Sequence, residues 1–362
     1  MYEVIDASCY LDEITEKIKK SKNKIYIQAM HIDFSKKFEI FIDEIIKAKK
    51  RGVDVKFNID EYSIPYIVGH KYYHISQYKR INCNTKSEKN KYYLDKLIKE
   101  KIDIKFINEY KYGRIVSEYL PFFGRNHMKI TIIDDVSFIG GINLAEKSLD
   151  YLDFMVRIKN KKLNLLLIDI FIKNRDGRKN NDITIPIDKL NDLIIDSGRR
   201  FKSQIYKETL DSIRKAEQSI IFISQFLPDF NILYALQNAQ KRGISVDVIT
   251  HSPYLAEKKF RNRMEHLIFN IFNIHLNSIH YTKSKYVHAK VIIIDKDSEN
   301  SEIIFGSHNF STFGVLFGTS EISLKTKEKT LMSQLINWYN EISSEYLNLI
   351  EYSSPSRFIK ER

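Results

Sequence analysis

The chain predicts an α/β protein built as two pseudo-symmetric α/β sandwich halves with mixed sheets, sharing one site at their interface. Three observations predict it. Apolar strands alternate with amphipathic helical segments along nearly the whole chain. The segment AKKRGVDVKF (Ala48 to Phe57) recurs as AQKRGISVDV (Ala239 to Val248). One pattern also occurs twice, as HMKITIID from His127 to Asp134 and as HAKVIIID from His288 to Asp295. Each copy reads His, any residue, Lys, four apolar or β-branched residues, Asp.

The elements follow the same order in each half. NKIYIQ (Asn23 to Gln28) and SIIFIS (Ser219 to Ser224) are apolar strands, each preceded by an amphipathic segment. FEIFIDEIIK and NILYALQN carry helical periodicity, and Gly52 and Gly243 stand where a helix ends in a left-handed cap. An alternating strand follows each glycine. IDIKFI (Ile102 to Ile107) and FNIHLN (Phe272 to Asn277) supply the next strand, and each half then reaches its His-x-Lys strand. The first half is expected to span 1–180 and the second 181–362, with a polar linker around Lys173 to Lys189. The halves differ in length between the capping glycine and the motif. The surplus in the first half lies mainly between Tyr62 and Tyr93, a basic, aromatic stretch that reads as a lid, a substrate-contacting loop, a membrane-contacting surface or an ordinary exposed insertion. TLMSQLINWYNEISSEYLNLI reads as an amphipathic closing helix.

A chain of 362 residues with 43% hydrophobic content can bury a substantial core. The net charge of +12 favours anionic partners, namely nucleic acid, an anionic membrane surface or phosphorylated substrates, although lysine serving as a general solubiliser accounts for part of it. Cys9 and Cys83 are too few for a disulfide framework and lack metal-ligand spacing. The start has no signal-peptide order, and the most apolar run, Leu163 to Ile172, is short and contains Asp169. These features predict an intracellular protein that is soluble or touches a membrane from outside. FRNRMEHLIFNIF (Phe260 to Phe272) reads either as a core-facing helix or as a basic amphipathic one suited to anionic lipid. His70, His74, His266, His275 and His280 lack partners at ligand spacing and read as surface or loop residues.

In a strand, residues two apart project from the same face, so His127 points with Lys129 and His288 with Lys290. Asp134 and Asp295 complete the motifs and are counted with the catalytic set, although their opposite parity suits bracing a hairpin. Each motif is followed by a turn, a returning strand and a small-small-x-Asn tetrapeptide ending at Asn143 or Asn309. Small residues allow close approach to a ligand, and Asn supplies a neutral donor. Two His, two Lys and two Asn converging on one spot make a cationic pocket suited to a phosphodiester, with no metal and no cofactor expected. The internal pair already completes one site, so a monomer suffices.

With this doubled motif the chain resembles the phospholipase D superfamily over nearly its whole length, and within it bacterial cardiolipin synthases. FGRNHMKITIIDDVSFIGGINLAEKS with YLDFMVRI is similar to that group's first motif, and YIQAMHI, AKKRGVDV and FLPDFNILYALQNAQKRGISV to its framework. The second motif departs from it: GSHNFSTFG replaces an Asn-Leu-Asp segment with a nearby Arg and is more like the superfamily's small nucleases. The resemblance implies metal-independent phosphodiester transfer with His127 as nucleophile, forming a phosphohistidine, and His288 as general acid and base. It implies that Lys129, Lys290, Asn143, Asn309 and the Ser307 hydroxyl hold phosphate oxygens. It also implies that Asp153 and Glu321 reach across to orient His288 and His127 respectively. The expected partner is an anionic phospholipid or membrane surface, with DNA or RNA as the alternative. The expected place is cytoplasmic, peripheral on the inner face of the membrane.

Overall fold

The computed structural model describes residues 1–63, 85–108, 124–228, 230–251, 276, 278–282, 285–310 and 312–348. Seven strands make the first sheet: β1 (Tyr2–Asp6), β2 (Lys24–Ala29), β3 (Asp54–Asp60), β4 (Asp103–Ile107), β5 (Ile130–Ile133), β6 (Val136–Gly140) and β7 (Phe154–Ile158). The second sheet has β8 (Ile183–Pro186), β9 (Asn191–Ser197), β10 (Ser219–Ile223), β11 (Ser245–His251), β12 (Ile279–Thr282), β13 (Val291–Ile294), β14 (Glu302–Gly306), β15 (Ser320–Thr326) and β16 (Leu347–Asn348).

The first sheet runs β4-β3-β2-β5-β6-β7-β1, and the second contains β12-β11-β10-β13-β14-β15-β9 in the corresponding order, with β16 and β8 added at its edges. In each sheet three strands are parallel and the motif strand pairs antiparallel with the first of them, β5 with β2 and β13 with β10. The sheets are therefore mixed and repeat the same topology. Strands β1, β8 and β9 were not anticipated from the repeat. The expected linker is partly structured, since it includes the end of a helix and all of β8.

The helices α1 (Ala7–Lys20) and α2 (Glu39–Lys50) cover the outer face of the first sheet, and α5 (Gln204–Lys215) and α6 (Phe230–Lys241) that of the second. Helix α3 (Thr85–Lys99) packs beside α2. Gly52 (φ +90°) and Gly243 (φ +89°) take the left-handed conformation that ends α2 and α6. A third apolar core lies between the sheets. It joins Ile130, Ile132 and Val156 of the first to Val291, Ile293 and Phe305 of the second. Helices α4 (Lys161–Arg175) and α7 (Lys329–Tyr346) contribute Leu163, Leu167 and Trp338 to it. The short apolar run in Leu163–Ile172 is thus a buried helix face. Among the described residues no helix is long and apolar enough to cross a membrane.

The alternation along β5 has a direct consequence. Ile130 and Ile132 face the shared core while Ile133 faces α1 and α2, so the extended segment before them is carried to the junction of the halves. Most of the Tyr62–Tyr93 insertion, all of Phe260–Phe272, all but Leu276 of the expected strand Phe272–Asn277, and His70, His74, His266 and His275 lie outside the described residues. His280 stands in β12 rather than in a loop, with Nε2 3.3 Å from Asp247 Oδ1.

Candidate active site

The two motif histidines sit just ahead of their strands, in extended backbone that has left its own sheet. The expected single strand from His to Asp is therefore shorter, because the His-x-Lys segment pairs with the opposite half. The amide of His127 donates to Ser320 O at 2.9 Å, and the amide of Ser320 to Arg125 O at 2.8 Å. Across the pseudo-twofold axis, the amide of His288 donates to Leu152 O at 3.0 Å, and that of Leu152 to Tyr286 O at 2.9 Å. Each histidine is thereby aligned with the residue preceding an acid of the other half.

Those acids complete two crossed pairs. His288 Nδ1 is 2.6 Å from Asp153 Oδ2. His127 Nδ1 is 3.0 Å from both carboxylate oxygens of Glu321. A carboxylate on Nδ1 fixes the proton there and leaves Nε2 as the reactive nitrogen. All four groups are buried. Lys129 donates to His127 O at 2.7 Å, and Lys290 to His288 O, with Lys290 Nζ also 3.1 Å from His288 Nδ1.

Burial and mutual repulsion set the electrostatics. Burial, opposed by Glu321 and reinforced by Lys290, lowers the Lys129 ammonium to about 7. Burial lowers Lys290 to about 8. His288 is pushed down to about 3 by burial and by Lys290, against the pull of Asp153. His127 is held well below its ordinary value by burial and then by Lys129 and Lys290. Burial raises Glu321 to about 7. A site this dry and this short of balancing anions favours uncharged forms, and an entering oxyanion would reverse that preference.

The remaining expected residues divide. Asn143 is buried with its Oδ1 3.4 Å from the His31 amide, and Asn309 Oδ1 is buried with no hydrogen-bond partner among the described residues. Ser307 is corrected. Its hydroxyl donates to Glu321 and accepts from the Ile322 amide at 3.0 Å, so it is committed to the acid and not available to a phosphate. Asp134 and Asp295 are corrected too. Asp134 accepts the amides of Lys22, Asn23 and Lys24 at 2.8–3.0 Å. Asp295 accepts those of Glu217, Gln218 and Ser219 at 2.7–3.1 Å. Both clamp the start of the neighbouring strand, away from the histidines. The glycines of the small-small-x-Asn segments also answer to the protein rather than to a ligand: a Cβ on Gly140 would stand 2.2 Å from Phe154 O, and one on Gly306 2.3 Å from Ile322 O.

Two features escaped the sequence reading. Asp60, at the end of β3, accepts from Arg125 Nη1 at 3.0 Å and from the Asn126 amide at 2.7 Å, a fully buried ion pair that holds the residues just before His127. Its signal was the Arg-Asn pair inside FGRNHMK. His308 is 2% exposed, and its Nδ1 accepts the Phe310 amide at 2.9 Å. Nothing but its place within GSHN pointed to it.

Residues 14–175 and again 209–343 match the family model described as cardiolipin synthase, phospholipase D-like domain, far more than half of the chain. The chain belongs to the phospholipase D superfamily. It is 29% identical over 134 residues to a phospholipase D of Rickettsia prowazekii, covering 37% of this chain and 60% of that protein. It is 24% identical over 193 residues to cardiolipin synthase B of Salmonella typhi, covering 48% of this chain and 46% of that one. The chain thus matches somewhat over half the length of the first relative and under half of the second. Among solved structures, phosphatidylserine synthase of Haemophilus influenzae superposes with a TM-score of 0.70 at 12% identity, covering 96% of this chain and 87% of that one. Polyphosphate kinase of Porphyromonas gingivalis superposes with a TM-score of 0.57, covering 93% of this chain and 49% of that one. At such identity the likeness is one of fold, and it spans both halves of this superfamily member.

Proposed function

We propose that this phospholipase D superfamily member transfers a phosphatidyl group between phospholipid hydroxyls, as in cardiolipin synthesis, with hydrolysis to phosphatidic acid when water replaces the alcohol. The observation that carries the chemistry is the pair of crossed imidazole–carboxylate contacts beside two buried lysines. His127 Nε2 attacks phosphorus, and the P–O bond to the leaving alcohol breaks while His288 delivers its proton to that oxygen. The second alcohol then attacks the phosphohistidine, gives its proton to His288, and the P–N bond breaks. Lys129, Lys290, Asn143 and Asn309 stabilise the charge on the non-bridging oxygens. A neutral His127 suits attack, and its depressed basicity keeps it neutral at physiological pH. His288 must carry a proton to act first as the acid. The incoming phosphate supports this by compensating Lys290, whose charge is among the causes of its low basicity.

The lipid assignment rests on the names of the relatives and on the basic charge. With it goes the proposal that the protein works as a peripheral protein on the cytoplasmic face of the membrane. The test is incubation with phosphatidylglycerol vesicles in EDTA, and separately with plasmid and single-stranded DNA, with His127→Ala as control and mass spectrometry as readout. Cardiolipin or phosphatidic acid made by wild type alone supports the reading. DNA cleavage with inert lipid overturns it in favour of a nuclease.

A further inference from the structure

We infer that the 198–202 loop and the outer seam of α5 and α6 form the surface by which this protein sits on an anionic phospholipid bilayer. The inference rests on the phosphatidyl-transfer reading above. Phe201 is 73% exposed, the most exposed aromatic ring among the described residues. Its display is built rather than frayed: the residue holds φ +62°, and its amide donates to Val315 O at 2.9 Å. A bulky side chain in the left-handed region is strained, and such strain persists only where the surroundings impose it. The start of the loop is packed tightly against the Gly318 turn, for a Cβ on Gly318 would stand 2.5 Å from Gly198 O.

The ring stands within the run Arg199-Arg200-Phe201-Lys202. Behind it a trough follows the seam of the two helices in two adjoining cavities of about 320 and 420 Å³, which share Leu210, Arg214 and Asn231. Phe201, Tyr234 and Leu210 give it apolar lining, Lys207, Arg214 and Arg242 give it charge, and no acidic side chain lines either cavity. Tyr234 is 60% exposed. Among the described residues, Asp211 pairs with Arg214 at 3.2 Å, Glu208 with Lys325 at 3.3 Å, and Asp182 lies 3.9 Å from Arg199. Exposed aromatics interleaved with Lys202, Lys207 and Arg242 match the interface of an anionic bilayer, where the rings enter the headgroup layer and the cations meet phosphate. The surface adjoins the site. Ser197, next to the loop, pairs with Ser320, whose carbonyl takes the His127 amide.

The test is sedimentation of the full chain with phosphatidylcholine vesicles, with and without phosphatidylglycerol. Phe201→Asn removes the ring while suiting the left-handed backbone. Lys207→Glu with Arg214→Glu reverses the charge. Each should lower the fraction bound to phosphatidylglycerol vesicles by about tenfold or more. Hydrolysis of a monomeric short-chain phosphatidylglycerol should be unchanged. Phe201→Trp should show a blue-shifted emission on anionic vesicles only. Variants that bind vesicles as wild type does overturn the inference. So does charge reversal that weakens DNA binding while Phe201→Asn leaves vesicle binding intact. Loop-dependent binding by a protein that leaves phosphatidylglycerol unchanged supports the docking surface and instead removes the substrate assignment.

Discussion

His288 and Asp153 stand 135 positions apart in the chain and in opposite halves of the fold, yet Nδ1 and Oδ2 are 2.6 Å apart. Asp153 follows Leu152, which receives the His288 amide, so backbone pairing and side-chain pairing fix the ring together. Asp153→Asn keeps the shape but presents an amide where Nδ1–H needs an acceptor, favouring the wrong tautomer. Turnover should fall by roughly 10²–10⁴-fold, with KM changed far less. A loss smaller than tenfold, measured with the melting temperature unchanged, would remove Asp153 from the proposed mechanism.

Lys129 at about 7 and Lys290 at about 8 are only partly charged in the free site near pH 8. A bound oxyanion restores their basicity, so binding takes up protons and weakens as pH rises through both values. Sulfate does not titrate in this range and isolates the effect. Its affinity should fall on the order of a hundredfold between about pH 7 and 9, and Lys290→Met should flatten the dependence. Calorimetry in buffers of different ionisation enthalpy reads the proton uptake directly, and a buffer-independent enthalpy at pH 8 would contradict it.

The repeat, the mixed sheets and the convergence of the two motifs were legible because each rests on local pattern: strand periodicity, capping glycines and a doubled His-x-Lys. The role of Ser307 was not. Its hydroxyl answers to Glu321, a contact across neighbouring strands that no spacing encodes. The same holds for Asp60, whose partner Arg125 lies 65 positions away. The extra strands β1 and β9 were missed because each is an antiparallel partner added at the flank of a sheet, outside the repeating helix–strand order. Asp134 and Asp295 show the opposite case. Parity along the strand already set them apart from the histidines, and three amides apiece confirm a bracing place.

From that bracing follows a separation of stability from chemistry. Asp295 is 4% exposed, and its carboxylate accepts three consecutive amides. Asp295→Ala should cost about 1–2 kcal/mol of stability by taking the acceptor away from three part-buried amides. Urea denaturation measures that cost. At low temperature, where the variant is folded, turnover should stay within a few-fold of wild type. A stable but inactive variant would return Asp295 to the catalytic set.

Gly141 and Ser307 occupy matching places in the two motifs, yet only the second tolerates a side chain. A Cβ on Gly141 would stand 2.4 Å from Asp153 Oδ1 and 2.6 Å from Oδ2. The carboxylate is the group that must give way, and it is the one holding His288. Gly141→Ala should therefore displace Asp153 and lower turnover by about 10²-fold, the scale expected for misplacing a catalytic partner by an ångström. Gly314→Ala serves as control, because nothing lies within 4 Å of its Cβ position. Steady-state kinetics on both variants, with circular dichroism to confirm the fold, decides the matter. If Gly141→Ala turns over as fast as the control, Asp153 has room to move without loss, and the tight fit at this glycine has no bearing on catalysis.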